Sequence, residues 1–225
     1  MLKYQASLLA ATLALGAVAS SANAAIIISE VDPSGSGSSY GADWFELTNT
    51  GSSAVSIAGW KMDDNSNGVP SSAEVALRGV TSIAAGQSVV FLEGNSTGST
   101  DATIQAAFKS AWFGSNVPAG LTLGGYGGSG VGLNQAGDAV NIFNSSGTLI
   151  TRVDFGAAAA GTFDNAAGLN NVTLTQKSVV GVNGAFNSVT GGEIGSPGTV
   201  PLPAAAWLML SGLGAIGCRL RRRGA

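Results

Sequence analysis

Hydrophobic and polar positions alternate over short stretches along most of the chain. Residues 26–31 and 88–92 are rich in apolar and β-branched side chains, and residues 55–57 alternate apolar and polar positions. Alternation with a period of two is typical of half-buried strands, and β-branched residues favour them. Such runs recur about every 8 to 15 residues with turn-forming residues between them, which predicts an all-β sandwich.

Two segments add detail to this pattern. Residues 139–143 and 149–153 are apolar runs on either side of residues 144–148, which include Gly147, and they predict a β-hairpin. In residues 101–113, Ile104, Phe108 and Trp112 are spaced four apart and follow residues 99–101 (Ser-Thr-Asp), which offer N-cap oxygens. This spacing predicts one short helix whose aromatic side chains pack into the core.

Glycines are concentrated in residues 124–130, which contain five glycines around Tyr126 and Ser129. A phosphate-binding loop would need a following lysine and a strand-to-helix frame, and the sequence offers neither. We therefore predict a flexible loop here.

The first 24 residues have the three parts of a secretory signal peptide. Lys3 supplies the positive start, residues 8–18 are apolar, and residues 22–24 end in the small residues that precede cleavage. We predict that signal peptidase cuts before Ala25. The rest of the chain is then exported from the cytoplasm.

The last 26 residues form a second candidate membrane segment. Residues 202–218 carry no charge and would span about 25 Å as a helix, near the lower limit for a bilayer. The basic residues that follow would keep the C-terminus in the cytoplasm. They are Arg219, Arg221, Arg222 and Arg223.

The order of motif, apolar helix and basic cluster resembles the PEP-CTERM sorting signal in its VPLPA form. The motif residues are Val200, Pro201, Leu202, Pro203 and Ala204. The resemblance implies an exosortase-type processing enzyme as partner, an inner-membrane intermediate, and a final place at the cell-envelope surface or outside the cell. A plain tail anchor is the alternative. The chain thus divides into a signal peptide (1–24), one domain (25–199) and a sorting signal (200–225).

Composition excludes several classes of function. The chain has no histidine and one cysteine, which rules out histidine-based acid–base catalysis, Ser-His-Asp triads and intramolecular disulfides. Residues 25–199 contain five basic and thirteen acidic residues, a net charge of −8. Such a surface repels phosphate backbones, so we expect no nucleic-acid partner.

Six short motifs resemble those of bacterial lamin tail domains. They occupy residues 28–31, 43–49, 55–60, 83–87, 133–140 and 195–198. The resemblance implies an immunoglobulin-like β-sandwich without a catalytic site. We therefore expect a non-enzymatic binding or structural protein of the cell envelope or matrix, whose ligand the sequence does not name.

One acidic stretch fits the spacing of a calcium-binding loop. The candidate ligands are Asp63, Asn65, Asn67, Val69 and Glu74. Pro70 lies where the usual loop needs a backbone N–H, and Asp–Asn clusters are also ordinary turn formers. The alternative to a calcium-binding loop is a structural turn. If the loop does bind calcium, the protein is a calcium-stabilised surface adhesin or biofilm-matrix protein. No other cofactor is expected.

Acidic residues also suggest a second site and a third function. Asp32, Asp43 and Glu46 are candidates for a further acidic site, although Glu46 equally fits a hydrogen-bonded position on a sheet face. A carboxylate-based extracellular hydrolase would need two acids about 5 to 10 Å apart in a cleft. Asp32, Asp43, Asp63 and Asp64 are the residues to inspect for it, and we favour this hypothesis least.

Overall fold

The computed structural model describes residues 26–64, 74–158, 161–190 and 192–199. The predicted signal peptide, the predicted sorting motif and the predicted C-terminal helix with its arginines lie outside these ranges, as do Asn65, Asn67 and Val69. Within the described ranges, no helix has the length and apolar character needed to cross a bilayer.

Fourteen strands and one α-helix, α1 (Asp101–Phe113), make up the described regular structure, with a 3₁₀ turn at Gly35–Gly37. The strands are β1 (Ile26–Asp32), β2 (Trp44–Asn49), β3 (Val55–Ser56), β4 (Lys61–Asp63), β5 (Val75–Ala76), β6 (Ser82–Ile83), β7 (Ser88–Glu93), β8 (Thr122–Tyr126), β9 (Asp138–Phe143), β10 (Leu149–Phe155), β11 (Phe163–Asp164), β12 (Val172–Leu174), β13 (Phe186–Asn187) and β14 (Ile194–Gly195).

The strands form two five-stranded sheets and two small ribbons. The first sheet has the order β11-β1-β2-β7-β8 and the second the order β12-β10-β9-β4-β5. Pairing is antiparallel except for β7 with β8 and β10 with β12. The ribbons pair β3 with β6 and β13 with β14. This confirms the predicted β-fold with one helix, and β9 and β10 form the predicted hairpin, with Gly147 at a φ of 79° in the turn.

A hydrophobic core joins the inner faces of the two sheets. Each sheet contributes alternate residues of its strands, as expected for a sandwich. Trp60 is a buried member of this cluster. The other large members include Phe45, Leu47, Phe91, Tyr126, Ile142, Phe155 and Phe163.

A second core lies on the outer face of the first sheet, where α1 packs. Phe108 and Trp112 of the helix are fully buried against Trp44 of β2. The Trp44 and Trp112 rings meet edge to face at 5.9 Å, a favourable aromatic geometry. The aromatic residues of α1 are therefore core residues, as predicted.

The helix α1 begins at the predicted place, but the predicted N-cap hydrogen bond is not formed. Thr100 occupies the N-cap position, but its side chain makes no capping hydrogen bond. The Thr100 hydroxyl instead accepts a hydrogen bond from the backbone N–H of Asn95, and Asp101 forms an ion pair with Arg78 at 3.0 Å. Thr100 thus ties the helix start to the preceding loop, and Asp101 ties it to Arg78.

The prediction for the glycine-rich segment is wrong for residues 124–126, which belong to strand β8, whereas residues 127–130 form no strand or helix. A Cβ at Gly124 would lie 2.5 Å from the Phe91 ring and 2.9 Å from the Arg78 carbonyl oxygen. Glycine is needed here because β8 packs tightly against its neighbours, and chain flexibility is not the reason.

A β-bulge at Ser29 changes which face β1 presents. Ile28 pairs with Leu47, whereas Glu30 pairs with Glu46, so two steps along β1 match one step along β2. In a regular strand Ile28 and Glu30 would share a face. The bulge keeps Ile28 in the inner core and places Glu30 beside Glu46 on the outer face.

Candidate functional site

The ends of the predicted calcium loop meet at one edge of the second sheet. Met62 pairs with Val75, which brings Asp63 and Glu74 to the same end of the β4–β5 pair. Lys61 Nζ lies 2.5 Å from Glu74 Oε1 and neutralises this carboxylate. Within the described ranges, no group of three acidic or cysteine side chains is placed to hold a metal ion. The calcium site therefore stays a prediction.

Asp32 and Asp43 lie at one end of the first sheet, where both have structural partners. Asp32 Oδ1 accepts hydrogen bonds from the backbone N–H and hydroxyl of Ser34. Asp43 Oδ1 accepts from the backbone N–H of Ser36 at 2.7 Å, and burial raises the pKa of Asp43 to about 7. The two carboxylates hold the loop between β1 and β2.

Tyr40 links this end of the sheet to Glu193. Its hydroxyl lies 2.8 Å from Glu193 Oε1 and 3.2 Å from Asp32 Oδ2, and it accepts a hydrogen bond from Trp44 Nε1. Burial and the nearby Asp32 charge raise the pKa of Glu193 to about 7. This network fixes the chain just before β14.

Glu30 and Glu46 form a buried carboxyl pair in the middle of the first sheet. They are cross-strand neighbours, and each exposes 1% of its surface. Burial raises the pKa of Glu30 to about 7. For Glu46, burial and the Glu30 charge together raise the pKa to about 8. Their ordinary value is 4.5, so near neutral pH this pair holds protons that exposed glutamates would lose.

The pair holds the last described segment of the chain, residues 194–199, which we call the strap. The Ser196 backbone N–H lies 2.9 and 3.0 Å from the two Glu30 oxygens, and the Ser196 hydroxyl donates to Glu30 Oε2. The Gly198 N–H donates to Glu46 Oε2 at 2.5 Å. The sheet thus recognises the strap mainly through its backbone.

Hydroxyl groups complete the strap contacts. Ser29 donates to Glu46 Oε1 and lies 2.8 Å from Thr48, whose hydroxyl lies 2.6 Å from that of Ser88. The Ser88 hydroxyl in turn donates to the Thr199 carbonyl oxygen at 3.0 Å. Thr162 and Ser178 donate to Glu30 from the other side. The carboxyl oxygens of the pair are therefore engaged by polar partners.

The strap fits closely against the helix. A Cβ at Gly195 would lie 2.8 Å from Glu30 Oε1 and 2.9 Å from the Trp112 ring. Only a residue without a side chain can pass between the carboxyl group and the aromatic ring. This gives a physical reason for the glycine that opens the motif at residues 195–198.

The four acids that a carboxylate hydrolase would use do not all lie together. Asp32 ends β1 and Asp43 precedes β2 at one end of the first sheet, whereas Asp63 ends β4 of the second sheet and Asp64 follows it. All four are buried. The sequence analysis grouped Glu46 with Asp32 and Asp43 as a candidate acidic site. In the structure Glu46 pairs with Glu30 instead. It is a hydrogen-bonded residue of the sheet face, which was the alternative interpretation.

Sequence reasoning missed Glu30, Glu193 and the strap as a unit. A glutamate in an apolar strand was a signal, because a charged residue within residues 26–31 needs either solvent or partners. Its partners come from residues 162, 178 and 196, and no local pattern reveals such distant contacts.

Comparison with known proteins gives one match. The model of the lamin tail domain family matches residues 19–157. The match confirms the resemblance seen in the sequence motifs up to residue 157. No curated protein and no solved structure matches the chain.

Proposed function

Since the chain belongs to the lamin tail domain family, a family of immunoglobulin-like, non-catalytic domains, we propose that it is an exported binding or structural protein of the cell envelope or extracellular matrix. In this proposal the β-sandwich performs the binding or structural function, and the signals at the two chain ends direct export and sorting. Signal peptidase removes residues 1–24, and an exosortase-type enzyme processes the C-terminal signal at the membrane.

One observation carries the non-enzymatic part of this proposal. Two carboxyl groups with raised pKa values, Glu30 and Glu46, are buried and bonded to the protein's own strap. Raised pKa values in a cleft would favour catalysis. Here the same groups bind backbone N–H groups inside the fold, which favours a structural role.

The sorting part of the proposal is tested in the native host. Intact masses of the protein recovered from envelope and medium report both cleavages together. Replacing Arg221, Arg222 and Arg223 by Glu should leave the C-terminal segment unprocessed, because the positive charges that orient the segment are reversed. Replacing the same arginines by Lys is the matched control. Normal processing of the Glu variant would contradict the sorting proposal.

A calcium-stabilised surface adhesin or biofilm-matrix protein is the second candidate. The pairing of β4 with β5 supports it, because it fixes Asp63 and Glu74 at the two ends of the predicted loop. Lys61 competes for Glu74, so a calcium ion would have to displace its ammonium group. We expect the melting temperature to rise with calcium and return with chelator, and Asp63→Asn to abolish the rise. No change in wild-type protein would remove this candidate.

A further inference from the structure

Polar side chains gather at one end of the first sheet, where β2 begins and where β7 and β8 end. The Glu93 N–H donates to the carbonyl oxygen of Asp43 at 2.8 Å, and Glu93 pairs with Tyr126 of β8. Asp43 directly precedes β2, and Glu93 and Tyr126 are the last residues of their strands. The three residues therefore lie side by side across three neighbouring strand ends.

The three side chains share the inner face of this sheet. Phe45 and Phe91, two positions from Asp43 and Glu93, belong to the inner core, and alternate residues of a strand share a face. Tyr126 is a fully buried member of the same core, and its ring lies 5.1 Å from that of Phe45. Asp43 is buried as well. Two carboxyl groups and one phenol thus enter the end of an apolar core.

The hydroxyl of Tyr126 has no hydrogen-bond partner within the described part of the chain, although it is fully buried. A buried hydroxyl without a partner costs free energy, and native proteins rarely leave one in this state. Burial raises the pKa of this hydroxyl, and nearby carboxylates raise it further; in order of effect they are Glu93, Asp43, Asp138 and Asp32. The hydroxyl is therefore aimed into a group of acids.

No basic side chain in the described ranges forms an ion pair with Asp43 or Glu93. The ion pairs there use other acids, namely Glu74, Asp101 and Asp154. Burial raises the pKa of Asp43, and it raises that of Glu93 with no hydrogen bond to offset it. A carboxylate removed from water without a cation is costly. Either protons or a bound cation must neutralise these two groups.

Solvent reaches the group at Glu93, which is partly exposed. The loop after β8 passes beside this side chain, and a Cβ at Gly132 would lie 3.2 and 3.7 Å from the two Glu93 carboxyl oxygens. A glycine at this exposed position therefore leaves the carboxylate open to an ion from solution.

We propose that Asp43, Glu93 and the Tyr126 hydroxyl form a binding site for a hydrated divalent cation, and that calcium is its ion outside the cell. Calcium binds carboxylate oxygens and waters. Since no three acidic side chains in the described ranges are grouped to hold one ion directly, water completes the coordination, and the hydroxyl bonds to such a water. Protons alone would neutralise the carboxylates but would leave the hydroxyl, at its observed position, without a partner.

This site is separate from the predicted calcium loop, which begins at Asp63 on the second sheet. It does not depend on the sorting signal or on the calcium-stabilised candidate proposed above. With two carboxylates and several waters as ligands, we expect weak binding, with a Kd of about 0.1 to 1 mM for calcium.

Terbium luminescence of the full chain in detergent tests the site. Terbium occupies oxygen-rich calcium sites and emits when an aromatic side chain beside it is excited, as Tyr126 would be. We expect a saturable signal that calcium displaces. Glu93→Gln, which keeps the shape but removes the charge, should raise the apparent Kd for calcium at least about tenfold. Asp63→Asn, in the predicted loop, is the matched control and should leave that Kd unchanged.

Three results would overturn the site. They are a wild-type protein without a saturable signal, as expected if protons alone neutralise the carboxylates; an equal Kd in Glu93→Gln; and a signal that Asp63→Asn abolishes while Glu93→Gln keeps it. If Glu93→Gln does not fold by circular dichroism, Tyr126→Phe decides. This variant removes the hydroxyl alone, and it should raise the calcium Kd severalfold; an unchanged Kd would overturn the site.

Discussion

The buried pair predicts that the free energy of unfolding falls as the pH rises. In the unfolded chain Glu30 and Glu46 titrate near 4.5, whereas in the folded protein their pKa values are about 7 and about 8. Between pH 4.5 and these higher values, the folded state therefore binds more protons than the unfolded state. By linkage, their stabilising effect is complete below about pH 4.5 and is lost as the pH passes through 7 to 8.

The size of the effect follows from the same values. A pKa difference of one is worth about 1.4 kcal/mol, so the contribution of Glu46 to this change in the free energy of unfolding is at most about 5 kcal/mol. Asp43 and Glu193 change stability in the same direction. We expect the wild-type free energy of unfolding to fall by about 2 to 4 kcal/mol between pH 5 and pH 8.5, and by roughly half as much in Glu46→Gln.

Urea denaturation at several pH values measures this slope, with fluorescence of the buried Trp44 and Trp112 as the signal. Asp154→Asn is the control, because this carboxylate is partly exposed on the second sheet. A wild-type stability that is constant or rises from pH 5 to pH 8.5 would refute the reasoning. So would an unchanged slope in Glu46→Gln.

Two further predictions concern packing. Trp60→Ala should lower the free energy of unfolding by about 3 to 5 kcal/mol, because it opens a cavity in the inner core; a loss below about 1 kcal/mol in urea denaturation would contradict the core assignment. Gly124→Ala should lower the free energy of unfolding by about 1 to 3 kcal/mol, since its methyl group would press on Phe91. Gly120→Ala, where nothing lies within 4 Å, is the control and should change stability by less than about 0.5 kcal/mol; equal losses in the two variants would show that close packing is not the reason for glycine.

Much of the fold was predictable because its signals are local. Alternation in residues 55–57 and the apolar run in residues 88–92 predicted strands, and the structure has β3 and β7 there. The spacing of Ile104, Phe108 and Trp112 predicted α1 with its observed bounds. In each case the spacing of apolar residues within one segment indicates which face of that segment is buried.

The rest depends on contacts between distant residues. Gly124 lies in a strand because of Phe91 and Arg78, and composition alone suggested a loop. Glu30 faces the strap because of the bulge at Ser29, which breaks the simple alternation of β1. The buried pair could not be predicted, since a glutamate in a strand is more often exposed and its partners here lie more than 100 residues away.

The row of hydroxyl contacts under the strap also fixes where the two ends of the described chain, near Ile27 and at Thr199, lie relative to each other. Ile27, at the start of β1, pairs with Thr48, which pairs with Ser88, and Ser88 holds Thr199. Two strand spacings separate β1 from β7, about 10 Å in total. Ile27 and Thr199 therefore lie near each other at one end of the sandwich. A domain of this shape can hang from a single surface by both of its ends, and it can be inserted into a loop of another protein without stretching its host.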